Sequence, residues 1–143
     1  MSNDFGRFAA GLHSDLSRVS PSDLQGFFDG WPNPPSPEAH HRLLASSSHF
    51  VVAQEVGSTQ VVGYITALSD GVLSAYIPHL EVLESHRGRG LGSALVQSML
   101  ELLGDIYMID LMCDADIQPF YEKLGLTRSV GMIRRNYSSQ SGG

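Results

Sequence analysis

Residues 85–96 read SHRGRGLGSALV, three glycines set among arginine and leucine and followed by a helix-like pattern. Upstream, residues 72–83 (VLSAYIPHLEVL) are apolar and β-rich; downstream, Leu91, Ala94, Leu95, Met99, Leu102 and Leu103 recur at helical spacing, so the glycines join a strand to a helix over 90–103. Glycines permit positive φ and remove side chains, which lets successive backbone N–H groups converge on one anion, and the free N–H groups of the first helical turn add further donors. The nucleotide-binding pattern GxxxxGK[ST] is absent, since no lysine follows the glycines, and GxGxxG fails because Ser93 stands at the third glycine. Taken alone, the stretch is either an anion cradle of another kind or an ordinary tight turn.

The pattern outward is mixed. A first strand is expected over 8–13. Ser20, Pro21 and Asp23 signal a helix start running to about Phe28, and Ser36, Pro37 and Glu38 signal a second helix to about Ala45. HFVVAQEV and QVVGYITALS, joined through Gly57-Ser58, read as a hairpin. Pro78 lies inside the next strand and donates nothing to a ladder, so it belongs at an edge or a bulge. IYMIDLMC at 106–113 reads as a buried strand, 118–124 as a short helix stopped by Gly125, and 130–136 as a last strand. The order predicts an α/β (α+β) chain with helices covering a mixed sheet, one domain over 1–137, and a disordered polar tail at 138–143.

Composition narrows the function. The chain of 143 residues carries 9 Lys plus Arg against 15 Asp plus Glu, a formal charge of −6, which speaks against a nucleic-acid partner. No apolar run is long enough to span a bilayer and the first residues, MSNDFGRF, lack a secretory layout, so the cytoplasm is the expected compartment, with no membrane partner. The single cysteine, Cys113, forms no CxxC pair and reads as a buried structural thiol; His40, His41 and His49 lack metal spacing and read as a solvated helix face, so no metal is expected. A homodimer is left open.

Two blocks resemble one family. Arg87-x-x-Gly90-x-Gly92 is similar to the [QR]xxGx[GA] motif with which GNAT N-acetyltransferases bind the pyrophosphate of acetyl-coenzyme A, and Pro119-Phe120-Tyr121-Glu122-Lys123-Leu124-Gly125-Leu126 is similar to their FYxKxGF segment. The resemblance covers roughly 48–137 and implies a GNAT-like mixed, mostly antiparallel sheet flanked by helices, with acetyl-CoA as acyl donor. LMCDADIQPFY at 111–121 is locally similar to the arylalkylamine N-acetyltransferases, although their His-x-His pattern is replaced by His79-x-Glu81. By the resemblance, Val82, Leu83, Arg87, Gly88, Arg89, Gly90, Leu91, Gly92 and Ser93 hold the coenzyme. Asp114 stands where many members use Asn against the pantetheine, and a carboxylate there accepts hydrogen bonds without donating them.

Acetyl transfer to an amine needs a neutral nucleophile, stabilisation of the oxyanion and a proton for the departing thiolate. Tyr121 matches the family's general acid. Glu81 and His79, two apart on one strand and so on one face, are alternative bases, directly or through water, and Glu81 is equally a counter-charge for an ammonium. The oxyanion donor is expected to be a strand N–H near Leu83. Trp31, with Phe28 and Tyr64, is a candidate platform for a small aromatic or alkyl amine, or part of the core. The readings are an N-acetyltransferase of a small primary amine, one of a protein lysine or N-terminal amine, and a non-catalytic CoA-binding domain.

Overall fold

The computed structural model describes residues 3–4 and 10–143. Its sheet has six strands in chain order: β1 (Asn3–Asp4), β2 (Ala10–His13), β3 (His49–Glu55), β4 (Val61–Ser69), β5 (Ser74–Val82) and β6 (Met108–Leu111). All neighbours are antiparallel except β5 and β6, which need a crossover, supplied by helix α2 (Leu91–Leu103). Of the strand expected over 8–13, Ala10–His13 is observed, and Phe8 and Ala9 fall outside the described residues.

The sheet is buried on both faces, and strand alternation decides which residue serves which face. Val62, Ile65 and Ala67 of β4 pack beneath the buried Leu91, Leu95 and Met99 of α2, while Val61 and Tyr64 turn to the opposite face with Val52, Leu44 and Phe28. Helix α1 (Pro37–Ser46) covers that second face; it starts where the sequence places it, with Ala39 N–H donating to the Ser36 hydroxyl (3.1 Å) and Pro37 at its first turn. Burying each leucine contributes about 1.5–3 kcal/mol, so both faces are needed to hold β4.

Pro78 sits at a bulge. The β4–β5 register runs Thr66 to His79 and then Leu68 to Tyr76, which leaves Ile77 and Pro78 opposite Ala67 alone. On the other side, β5–β6 pairing ends at Ile77 with Leu111, so the two strands part at the proline.

Three expectations change. The helix expected from Pro21 to Phe28 is a single 3-10 turn, Pro21–Asp23. Its start signal is real: the Asp23 carboxylate accepts from Ser20 N–H at 2.8 Å. That carboxylate also accepts from the Thr59 hydroxyl of the β3–β4 turn at 2.6 Å, and the chain then passes through left-handed backbone at Gly26 (φ +89°) and Phe28 (φ +61°), which ends helical propagation. The strand IYMIDLMC is shorter, Met108–Leu111, and lies at the sheet edge with Met108 and Met112 exposed. The last strand expected at 130–136 is absent; those residues form no regular element and are exposed. Within the tail, Tyr137–Ser139 make a 3-10 turn and Asn33 N–H donates to Gln140 Oε1 (3.0 Å). Helix α3 (Gln118–Glu122) closes against Gly125 as expected.

Candidate active site

The glycine stretch becomes a loop of backbone. Gly88 (φ +75°) and Gly90 (φ +85°) are both left-handed, and Gly90 caps α2. Within the helix the first return bond is Ala94 N–H to Gly90 C=O, so the N–H groups of Leu91, Gly92 and Ser93 precede the ladder and remain available to an anion. Arg87 Nε–H donates to the Val82 carbonyl (2.8 Å), which ties the loop to the end of β5; Arg89 is exposed. Gly92 serves a close approach. A Cβ there would lie 3.5 Å from Phe120 Cζ and 3.9 Å from Val82 Cγ2, so the second motif packs directly onto the first.

That packing positions Tyr121. Its ring meets Phe120 edge-on at 4.9 Å, and burial, with a smaller contribution from Cys113, pushes its phenol up to about 12. It is therefore a protonated donor throughout the physiological range. Cys113 is half-buried and its thiol is raised, first by burial and then by Asp114. Asp114 is exposed, and among the described residues its side chain makes no hydrogen bond.

The donor expected near Leu83 needs relocation. Leu83 N–H is already given to Val62 C=O (2.8 Å), so it is not free. By the strand's alternation, the N–H groups of Leu80 and Val82 point the other way, into the gap that opens once β6 has parted from β5 at Pro78. The free donors lie one residue to either side of Glu81.

Glu81 is held on the opposite face. Its Oε2 accepts from Tyr64 O–H (2.7 Å) and its Oε1 from Phe28 N–H (3.0 Å). Phe28 makes that bond in the left-handed region, a strain of about 1–3 kcal/mol for a bulky residue, which the surrounding packing sustains. Both donors are neutral, and among the described residues no Lys, Arg or His lies within ion-pair distance of Glu81. Tyr64 is wholly buried, its phenol driven upward by burial and by Glu81, so it stays protonated. Phe28 is buried as well, and Trp31 leans on it at 5.0 Å with 39% of its surface exposed. Tyr64 and Phe28 thus support Glu81, and Trp31 alone of the expected platform reaches solvent.

His79 and Glu81 do share a face, with His79 6.1 Å from Phe28 and 6.4 Å from Tyr64 between ring centroids. Burial lowers His79, partly offset by Glu81. His40 corrects the expectation of a solvated helix face. It is 1% exposed, its ring 4.3 Å from Tyr64 and 5.0 Å from Phe28, both nitrogens lack a partner, and burial first, then His79, lowers it to about 4. His41 contacts the Val19 carbonyl instead (2.9 Å). The spacing of His40 to buried Leu44, one helical turn, was the available signal, and a second histidine beside it obscured it. The Phe28 N–H left no sequence signal, because any residue can carry it.

This geometry agrees with comparison to known proteins. A family model for the acetyltransferase (GNAT) family matches residues 16–126. The chain belongs to that family. A crystal structure of an acetyltransferase from Deinococcus radiodurans R1 is 46% identical and superposes with a TM-score of 0.92 over 99% of this chain and 97% of that one. GCN5-related N-acetyltransferase 2, chloroplastic, of Arabidopsis thaliana is 29% identical over 135 residues, 80% of this chain and 52% of the relative. Histone acetyltransferase TAP1 of Glycine max is 31% identical over 126 residues, 80% of this chain and 54% of the relative. The chain spans about half the length of these curated relatives.

Proposed function

We propose that the chain transfers the acetyl group of acetyl-CoA to a primary amine of a small molecule by direct attack. The observation that carries the amine reading is Glu81: a carboxylate fixed by two neutral donors, in an aromatic surround, with no cation at ion-pair distance among the described residues. A buried or half-buried carboxylate is costly unless a charge meets it, and an acceptor ammonium is such a charge. Trp31 and Phe28 add the aromatic faces that a cation or an aryl group favours.

The donor side fits a pyrophosphate on its own terms, since Gly88 and Gly90 remove side chains where N–H groups converge and α2 presents its free donors behind them. Arg87 and Arg89 add positive charge at the loop. When bound, acetyl-CoA supplies an activated thioester. In this reading Leu80 and Val82 N–H groups donate to the acyl oxygen, Tyr121 gives its proton to sulfur, and Glu81, directly or through water, takes one from the ammonium. His79 is the alternative base; its lowered basicity keeps it neutral near pH 7 and able to accept.

Transfer to a protein lysine or N-terminal amine is the second reading, favoured by the likeness to a protein named histone acetyltransferase. The aromatic cover over Glu81, made by residues 27–31, favours the small amine, because it leaves Trp31 rather than an open groove at the surface. We also propose that the protein acts in the cytoplasm and as a homodimer. A thiol-release screen with aryl amines, polyamines, amino sugars and short peptides tests the acceptor. Saturable release with one small-amine class is expected; release only with peptides moves the assignment to the second reading, and binding of CoA without release under any amine leaves a non-catalytic domain.

A further inference from the structure

The turn between β3 and β4 grips the segment that carries the acceptor side. Val19, Leu24 and Phe28 of that segment pack on the hairpin in one cluster with Val52, Val61 and Tyr64. Apolar contact of this kind is non-directional, so it does not by itself fix where the segment lies. Hydrogen bonds do. The Thr59 hydroxyl donates to Asp23 Oδ1 (2.6 Å), and Gln60 Nε2–H donates to the Asp23 carbonyl (3.1 Å) and, more weakly, to that of Gln25 (3.4 Å). Gln54, at a bulge near the end of β3, gives its amide to the carbonyls of Arg18 (2.8 Å) and Thr59 (2.7 Å), while its own Oε1 meets the His13 ring at 2.7 Å. Asp23 and Gln54 are both buried. Buried polar groups cost desolvation, and when fully bonded they specify one arrangement.

What that arrangement holds comes five residues after Asp23. Phe28 N–H donates to Glu81 Oε1 at 3.0 Å from left-handed backbone, and Trp31 leans on the Phe28 ring. No helix or strand runs between Asp23 and Pro37, and Gly26, Phe28 and Gly30 all have positive φ. The segment thus has no regular element of its own to hold a strained amide at Glu81, and the nearest anchor before it is the bonded group around Asp23.

We propose that Thr59 and Gln60 are positioning residues for the acceptor: from the β3–β4 turn they fix residues 23–31 where Phe28 N–H meets Glu81 and Trp31 stands at the surface. The acceptor part of this rests on the amine reading above.

Trp31 is the only tryptophan in the chain, so its fluorescence reports on the segment with neither donor nor amine present. Thr59→Val removes the hydroxyl and keeps the branched shape. It is expected to increase acrylamide quenching of Trp31 and to raise the amine KM roughly tenfold with little change in kcat, the mark of lost positioning of bound amine. The Kd for acetyl-CoA should stay at the wild-type value. Thr59→Ser, which keeps the hydroxyl, is expected to match wild type in both readouts. Gln60→Ala strands no carboxylate, and it carries the same two expectations should Thr59→Val fail to fold. Wild-type quenching and amine KM in both Thr59→Val and Gln60→Ala, with only the urea midpoint lowered, overturn the proposal, because the bonds are then structural ties. Increased quenching with an unchanged amine KM overturns it as well, since the segment then does not receive the acceptor. A wild type that acetylates no small amine sinks the amine reading instead, and the quenching comparison still decides whether the turn fixes the segment.

Discussion

The two sides of the candidate active site are built from different materials. The donor side is backbone: Gly88, Gly90 and the first turn of α2, contiguous in the chain. The acceptor side is side chains and one strained amide drawn from four separate segments: Phe28 and Trp31, His40, Tyr64, and His79 with Glu81. Contiguous backbone is fixed by local sequence, while a constellation assembled across a sheet depends on the fold.

In the proposed mechanism Tyr121 protonates the departing sulfur, so its loss is the largest expected effect. Tyr121→Phe should lower kcat by about 10²- to 10⁴-fold, the usual worth of a positioned proton donor, with the Kd for acetyl-CoA unchanged by calorimetry. A twofold loss would remove Tyr121 from the chemistry.

His40 tests the acceptor side through stability. Its pKa falls from 6.5 to about 4 on folding, so the unfolded chain takes up a proton first and stability is lost as pH drops from about 6.5 towards 4. The full contribution is on the order of 3 kcal/mol at 1.36 kcal/mol per pKa unit, present above pH 6.5. Urea titrations of His40→Leu should show a flatter acid limb than wild type between pH 6.5 and 4; parallel limbs would mean that His40 is not the buried neutral group described.

Gly90→Val separates the sides from the donor end. A β-branched residue resists φ near +85°, a strain of about 1–3 kcal/mol, and its side chain enters the space meant for the anion. Donor Kd should rise at least roughly tenfold, while the KM for the amine stays within twofold. Glu81→Gln tests the other end, slowing transfer more at pH 6 than at pH 9 if Glu81 deprotonates the ammonium, because at high pH more amine is already neutral. A pH-independent loss in kcat/KM would instead make Glu81 a positioning group.

The same contrast explains what could be read from the sequence. The glycine loop, α2, the hairpin and the Pro78 bulge are local features, and each appears where its residues put it. The helix expected after Ser20 failed because Asp23 is bound by Thr59, thirty-six residues away. The apolar run at 106–113 implied burial, but an apolar strand at an edge looks the same as one inside until the sheet order is known. His40 lacks metal spacing in the sequence, which points to a solvated face; only the ring of aromatic neighbours from other elements makes its buried position intelligible.

Calorimetric titration of acetyl-CoA into wild type, Gly90→Val and Glu81→Gln tests the division of labour most directly. The account expects donor affinity to be lost in Gly90→Val and retained in Glu81→Gln, whose defect appears only when an amine is present. Equal loss of donor binding in both variants would contradict it, since the two sides would then be one site.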